Sequence, residues 1–194
     1  MNVPVARRAV LALPMQLAGA AKVPGAAGAD ESLDYRDGRL SWPGGSTRAA
    51  IGRAGVSRHK VEGDGATPEG VFPLVAAFYR ADRVSPLRTR LPMQALAPND
   101  AWVDDPVDSN YNRLVGLPYP AHTEAMWLDD AVYDLLVMIG YNTAPVVPGA
   151  GSAIFLHVAR PDFAPTSGCI AVAAPVLAAL MPLLGPGSKI TIHG

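Results

Sequence analysis

Two residues of the sequence have the chemical character of a nucleophile and its base. Cys169 is the only cysteine of the chain, and His157 ends an apolar run that starts at Ile154. A cysteine reacts as its thiolate, which needs a base within hydrogen-bond reach. We expect a strand that delivers His157 and a second strand after Cys169, joined by a tight loop. Such a loop would bring the Cys169 sulfur within about 4 Å of a His157 ring nitrogen.

The loop between these two residues favours a reactive site but does not require one. Gly168 leaves room for substrate beside the sulfur, and its amide and that of Cys169 could point at a developing oxyanion. However, a lone cysteine in an apolar segment is also typical of a small buried hydrophobe. A histidine such as His157 can simply be capped by a neighbouring carbonyl. From residue types alone, both interpretations stay open.

Several motifs resemble the L,D-transpeptidase (YkuD-like) family. In the cysteine signature of that family, a histidine precedes a Gly-Cys loop that contains Ser or Thr, as His157 precedes Cys169 here. The segment Glu62–Gly70 resembles the family's Gly-Asp-x-x-Thr-Pro-x-Gly motif. Four shorter motifs look like markers of one branch: Asp104-Asp105-Pro106, Tyr111-Asn112-Arg113, Gly140-Tyr141-Asn142 and Pro148–Ser152. The resemblance covers roughly residues 45–194.

The sequence also departs from the commonest pattern of that family. Ser167 stands where a second histidine usually precedes Gly-Cys, and Ala171 stands where an arginine is frequent. The interval from histidine to cysteine also looks shorter. The chain therefore resembles a branch with Ser-Gly-Cys in place of His-Gly-Cys. These departures concern substrate positioning more than the chemistry, because His157 matches the family's base.

The resemblance implies acyl transfer on peptidoglycan stem peptides, with no metal and no organic cofactor. Cys169 would attack the carbonyl of an L-to-D peptide bond in a stem tetrapeptide, after His157 takes the thiol proton. An acceptor amine would then resolve the thioester into a crosslink, whereas water would make the protein an L,D-carboxypeptidase. A catalytically silent wall-binding module is a further alternative, kept open by Ser167. Oxyanion binding or positioning is expected of Gly168 and Ser167, and substrate binding of His122, Arg160 and Asn142.

Composition excludes other classes of function. A formal net charge of −1 and a charged fraction of 17% do not fit a nucleic-acid binder, which shows a basic face. A single cysteine excludes an internal disulfide. A zinc site built from Cys169, His157 and His122 is a weak alternative, because one cysteine with dispersed histidines lacks the usual ligand spacing.

The first 27 residues predict an export signal or a disordered arm. The pair Arg7-Arg8 precedes a short apolar segment with small residues near Ala18–Ala21, as in a secretory signal, and also resembles a twin-arginine signal. The apolar run is too short to span a bilayer, so no stable membrane insertion is expected. We expect a periplasmic or exported protein, with a cytoplasmic protein as the alternative.

Residues 32–194 predict one mainly β catalytic domain. Gly and Pro number 19 each, which favours many turns and short strands. We expect a curved mixed sheet or β-sandwich with one short helix after the nucleophile. Asp37-Gly38 predicts a hairpin, and Pro182 must end or kink a helix that starts near Pro175. Further strands are expected at Arg48–Val56, Val71–Tyr79, Leu135–Ile139 and Lys189–His193, with a structural turn at 60–70.

Overall fold

The structure is a computed structural model that describes residues 30–194; the predicted export segment, residues 1–27, lies outside this range. Within it the chain forms fourteen strands, one α-helix and one 3-10 helix. The first seven strands are β1 (Leu33–Arg36), β2 (Arg39–Trp42), β3 (Gly45–Arg48), β4 (Val56–Ser57), β5 (Thr67–Pro68), β6 (Gly70–Tyr79) and β7 (Met93–Ala95). They are followed by β8 (Asp100–Val103), β9 (Leu114–Gly116), β10 (Thr123–Ala125), β11 (Leu135–Ile139), β12 (Phe155–Val158), β13 (Ile170–Val172), helix α1 (Ala174–Leu180) and β14 (Lys189–Ile192).

Nine of these strands form one curved mixed sheet. Its order is β13-β12-β11-β6-β14-β1-β2-β3, with β7 paired to β6. The pairs β12–β13, β1–β14 and β6–β7 are parallel, and the other pairs of this sheet are antiparallel. A three-stranded sheet, β10-β8-β9, and the short pair β4–β5 complete the strands. The expected mainly β domain with one short helix is confirmed.

The predicted hairpin is confirmed and one predicted strand is wrong. Asp37 and Gly38 connect β1 to β2 with positive φ angles of 49° and 75°, as a tight hairpin turn requires. In the region 48–56, by contrast, β3 ends at Arg48 and no continuous strand follows. Ala50 pairs through an isolated bridge with Ala171, beside the cysteine loop. This segment lies alongside the loop around Cys169, and its hydrogen bonds to that loop do not form a regular strand ladder.

Strands β11 and β12 are buried on both faces and therefore separate two hydrophobic clusters. Val137 and Leu156 belong to the larger cluster, which also contains Leu177 of α1. Alternate residues of the same strands, Leu136 and Phe155, belong to the second cluster. Because side chains alternate between faces along a strand, each strand supplies both clusters. The second cluster contains Cys169, so the predicted nucleophile lies on the sheet face opposite α1.

The helix after the cysteine ends where its proline predicts. Pro175 occupies the first turn of α1, where a missing N–H costs no helical hydrogen bond. The α-helix stops at Leu180, and Met181–Leu183 continue as a 3-10 turn that contains Pro182. Leu177, Leu180 and the 3-10 residue Met181 are buried against the sheet. Helix α1 thereby packs behind β12, the strand that carries His157.

Among residues 30–194, no helix has the length and the apolar character needed to cross a membrane.

Candidate active site

The pairing of β12 with β13 places His157 and Cys169 on the same face of the sheet. In this parallel pair, Leu156 faces Ile170 and His157 faces Ala171. Cys169 precedes Ala171 by two positions, so the two side chains point to the same side as that of His157. The backbone amide of Phe155, two residues before His157, donates a hydrogen bond to the Cys169 sulfur at 3.3 Å. The sulfur thus lies diagonally across from the imidazole.

The environment of His157 fixes its tautomer and keeps its ring neutral. Nδ1 lies 2.9 Å from the carbonyl oxygen of Val158, which can only accept, so Nδ1 carries the proton and Nε2 carries the lone pair. Burial lowers the pKa of His157 from 6.5 to about 4, outweighing the opposite effect of its backbone hydrogen bond. His157 is therefore a neutral imidazole at pH 7 whose Nε2 can accept a proton.

Cys169 is a neutral thiol in the resting protein. Burial raises the pKa of this thiol from 9.0 to about 12, with the negative charge of Glu124 adding to the effect. The sulfur donates to the carbonyl oxygen of Ala153 at 3.2 Å, as only a protonated sulfur can. Among the hydrogen bonds of residues 30–194, none joins Cys169 to His157, so the expected approach of sulfur to ring nitrogen stays a prediction.

Tyr133 contacts both His157 and Cys169. Its ring packs edge-on against the His157 ring with the centroids 5.5 Å apart. Its hydroxyl donates to Glu124 at 2.5 Å and also interacts with the Cys169 thiol. Burial raises the pKa of Tyr133 well above its usual range and also raises the pKa of Glu124. The Tyr133 hydroxyl therefore remains protonated at neutral pH, as a hydrogen-bond donor beside the thiol.

A buried threonine fastens the cysteine loop to the motif at 62–70. The Thr67 hydroxyl donates to the carbonyl oxygen of Gly168 at 2.8 Å and accepts from the amide of Gly52 at 2.9 Å. Within the loop, the Thr166 hydroxyl donates to the carbonyl oxygen of Cys169 at 2.6 Å and accepts from the Gly168 amide at 3.1 Å. Three segments distant in sequence thus hold the loop through satisfied buried polar groups.

Glycine at position 168 is required by both conformation and space. Its φ angle of +142° lies in a region that residues with a side chain rarely adopt. A Cβ atom there would lie 2.8 Å from the carbonyl oxygen of Ala66 and 3.5 Å from the Lys60 ammonium. The turn that supplies these neighbours is closed by Asp64, which accepts from Lys60 and from the amides of Val61 and Ala66. The predicted structural turn at 60–70 therefore packs directly against the cysteine loop.

A cavity of about 430 Å³ opens in front of this arrangement. Its buried end contains Cys169, His157, Tyr133 and Ala153, whose relative exposures are 8% or less. Charged side chains line the rest of it, and we refer to them as the charged wall: Arg53, Lys60, Glu62, Asp104, His122, Glu124 and Arg160. The arrangement combines a neutral thiol and a neutral imidazole with a surface that can bind a charged, polar substrate.

The structure brings most of the predicted site residues to this cavity. His122 lines it with Nδ1 2.5 Å from Asp104, which raises the pKa of His122. Arg160 lines it and pairs with Asp130 at 3.0 Å. Ser167 also lines it.

Two of the predicted site residues are engaged elsewhere. Asn142 does not line the cavity; its side-chain amide holds its own loop through Val147 and Gly151. The Gly168 amide, expected to face an oxyanion, donates instead to Thr166.

Several residues of the site were not predicted from the sequence. Tyr133 and Glu124 lie near predicted elements, but no local pattern singles them out as neighbours of Cys169. Arg53 and Lys60 reach the cavity because their segments pack against the cysteine loop. Thr67 and Glu62 belong to a motif that the sequence analysis identified, Glu62–Gly70, and a contact between that motif and the Gly-Cys loop could have been inferred from it. Asp104 belongs to the motif Asp104-Asp105-Pro106.

Within residues 30–194, no group of three or more His, Cys, Asp or Glu side chains converges as ligands for a metal would. His157 Nδ1 and His122 Nδ1, two of the nitrogens considered for a zinc site, contact Val158 and Asp104.

Comparison with known proteins identifies the domain that contains this cavity. A family model described as YkuD, L,D-transpeptidase catalytic domain, matches residues 30–192. The matched region includes Cys169, His157 and the turn at 60–70 that packs on the cysteine loop. A search of curated proteins finds no match.

Proposed function

The chain belongs to the L,D-transpeptidase catalytic domain family, and from this premise we propose that it is a peptidoglycan L,D-transpeptidase with Cys169 as its nucleophile. The family resemblance of the sequence is confirmed by the match, and enzymes of this family act on peptidoglycan. That the chain belongs to a Ser-Gly-Cys branch stays a prediction. One observation carries the proposal: Cys169 and His157 share a sheet face and line the same cavity, with the lone pair of His157 on Nε2.

The acylation step that we propose starts from two neutral groups. With pKa values of about 12 for Cys169 and about 4 for His157, a thiolate–imidazolium pair is scarcely populated in the resting protein. The thiol proton therefore moves to Nε2 of His157 while the sulfur attacks the donor carbonyl carbon. When the tetrahedral intermediate collapses, His157 gives this proton to the leaving amine, and the terminal D-residue departs. The product is a thioester on Cys169.

The oxyanion of that intermediate needs donors that are close to the sulfur. We propose the backbone amide of Cys169 for this role, since a donor of this kind contributes about 3–4 kcal/mol to the transition state. The Gly168 amide joins it only by giving up its hydrogen bond to Thr166. The Tyr133 hydroxyl, which donates its one proton to Glu124 in the resting protein, joins it only by giving up that hydrogen bond.

The second half of the reaction regenerates the thiol. His157 takes a proton from an acceptor amine, the amine attacks the thioester carbonyl, and the sulfur leaves with a proton returned by His157. A new amide bond then joins donor and acceptor. If water takes the place of the amine, the same residues perform an L,D-carboxypeptidase reaction, and if no thioester forms, the protein is a silent wall-binding module.

Mass spectrometry of the intact protein tests this proposal. Incubation with a stem tetrapeptide should increase the protein mass by that of the donor without its terminal D-residue, with the increase located on Cys169. The Cys169→Ala variant should show no increase, and circular dichroism should confirm that it is folded. Adding an acceptor stem peptide should yield a crosslinked product in a transpeptidase and only a shortened donor in a carboxypeptidase. Absence of both an adduct and a released D-residue would refute the enzyme assignment.

We also propose that residues 32–194 act as the catalytic domain outside the cytoplasm, after export directed by residues 1–27. The argument is that the proposed substrate lies outside the cytoplasm and that Arg7-Arg8 precede a short apolar segment with small residues near Ala18–Ala21. Cell fractionation followed by N-terminal sequencing of the recovered protein tests this. Full-length protein confined to the cytoplasm would contradict it.

A further inference from the structure

Arg53 differs from the other cationic side chains of the charged wall. Lys60 pairs with Asp64 at 2.8 Å, His122 with Asp104 at 2.5 Å and Arg160 with Asp130 at 3.0 Å. Within the described range 30–194, Arg53 forms no ion pair with a carboxylate. Its guanidinium instead donates one hydrogen bond, to the Ser167 hydroxyl at 3.2 Å. Arg53 therefore offers an unneutralised positive charge to the cavity.

The position of Arg53 is set by the cysteine loop itself. Its backbone amide donates to the carbonyl oxygen of Thr166 at 2.9 Å. Its guanidinium packs over Gly65, where a Cβ atom would lie 2.8 Å from the guanidinium carbon. Gly65 has a φ angle of +70°, a backbone conformation that favours glycine. Because it has no side chain, it also leaves room for the Arg53 guanidinium. The side chain is exposed but is fixed beside the loop that carries the nucleophile.

The acidic residues of the charged wall already have partners. Glu62 accepts from the hydroxyls of Tyr111 and Ser152, and Glu124 accepts from Tyr133. Asp104 contacts His122. A ligand carboxylate that enters this cavity is repelled by these acids and finds its favourable charge at Arg53. Arginine suits this role because its planar guanidinium can bind both oxygens of a carboxylate.

We propose that Arg53, together with the hydroxyl of Ser167, binds the C-terminal carboxylate of the residue that leaves the acyl donor. This inference rests on the proposed function, since it assumes that the donor carbonyl reaches Cys169. Ser167 precedes Cys169 by two positions, so their Cα atoms lie at most about 7 Å apart. In a one-residue leaving group, the carboxylate carbon lies within about 4 Å of the carbonyl carbon under attack. Arg53 thus selects donors that end one residue after the scissile bond.

A comparison of two donor peptides tests the subsite. The first is a tetrapeptide with a free C-terminal carboxylate, and the second is the same peptide with a C-terminal carboxamide. The ratio of their kcat/KM values should favour the carboxylate by roughly 5- to 30-fold in the unchanged protein. In Arg53→Gln this ratio should fall close to one, and Arg53→Lys should restore part of it, because the charge returns without the planar fork.

Arg58→Gln is the matched control for loss of one positive charge. Arg58 lies five positions away, is exposed, pairs with Glu69 and does not line the cavity. The donor ratio of this variant should equal that of the unchanged protein. A ratio that is close to one before any substitution, or that survives in Arg53→Gln, would overturn the subsite. The subsite would also be overturned if the donor ratio fell as much in Arg58→Gln as in Arg53→Gln.

A binding measurement separates this inference from the proposed function. In the Cys169→Ala protein, calorimetry with the two peptides reports recognition without turnover. Tighter binding of the carboxylate peptide, lost when Arg53→Gln is added, supports the subsite even if the unchanged protein turns over neither peptide. Equal binding of both peptides, or binding of neither, overturns the subsite even if Cys169 is acylated.

Discussion

The two ends of the cavity differ in their charge: the buried end holds neutral groups, and the charged wall holds ionisable side chains. At the buried end, Cys169 and His157 are taken out of water, and burial moves both pKa values away from neutrality in the directions that remove charge. Along the charged wall, by contrast, most cationic side chains have a carboxylate partner, as Lys60 has in Asp64. Cys169 and His157 are therefore neutral within a cavity that also has many charged side chains in its lining.

This difference indicates that the charged wall contributes mainly to binding and the buried end mainly to the chemical step. Charged groups of a polar peptide can be held by the wall at little desolvation cost, because the wall is partly exposed. In the proposed reaction, charge develops beside Cys169, where few water molecules compete with the backbone amides as donors. Substitutions at the buried end should therefore change the chemical step, whereas changes to the wall should change recognition.

The largest effect is expected from Cys169→Ser. The hydroxyl is a far weaker nucleophile than a thiol with a neutral imidazole as its base, so turnover of a tetrapeptide should fall by at least about 10³-fold. The volume hardly changes, so the melting temperature should stay near that of the unchanged protein. A released D-residue assay and a thermal melt measure the two quantities. Retained turnover would mean that another nucleophile acts.

His157→Gln should lower kcat/KM by about 10²- to 10⁴-fold, since the base is lost. It should also change acid stability. A neutral buried histidine with a folded pKa of about 4 and an unfolded value of 6.5 contributes stability above pH 6.5, which is lost as the pH falls towards 4. This contribution is about 3 kcal/mol.

Denaturant titrations of both proteins from pH 7 to pH 4 would measure the acid effect. The unchanged protein should lose stability steeply in this range, and His157→Gln should lose much less. Equal slopes would show that the imidazole is not held neutral by burial, and the contrast between the two ends of the cavity would fail.

Thr67→Val tests whether the buried end depends on the turn at 60–70. The substitution keeps the shape but leaves the Gly168 carbonyl and the Gly52 amide without their buried partner, which should cost about 1–3 kcal/mol. Turnover should fall as the cysteine loop loses its anchor, while unfolding stays cooperative. Urea titration measures the stability. Thr47→Val removes a hydroxyl of the same type from strand β3; it is the control and should change little.

The smallest effect is expected from salt. Raising the ionic strength from about 0.05 M to about 0.5 M should screen the exposed Arg53 and raise KM for a carboxylate donor by roughly two- to fivefold. The alkylation rate of Cys169 by neutral iodoacetamide should stay nearly constant, because the buried thiol is poorly screened. A KM that is indifferent to salt would mean that the wall does not recognise charge.

Local sequence signals predicted the hairpin turn and the end of α1. They also singled out Cys169 and His157, which line one cavity, but they did not predict the residues that surround this pair. Asp37-Gly38 and Pro182 determine the backbone conformation of the residues next to them, so the hairpin and the end of α1 could be predicted. The anchor from Thr67 to Gly168 spans 101 positions, and no periodicity encodes such a distance. The strand expected at Arg48–Val56 is wrong for the same reason, because partners near Ala171 determine its shape.

The sheet order also has a consequence for when the domain can fold. Strand β14 comes after all the other strands in the chain, yet it lies in the interior of the nine-stranded sheet, between β6 and β1. While a ribosome still encloses residues 189–192, β14 cannot pair with β6 or with β1. The sheet then consists of two separate parts, one on each side of the place that β14 will occupy. Completion of the sheet therefore has to wait until residues 189–192 have left the ribosome.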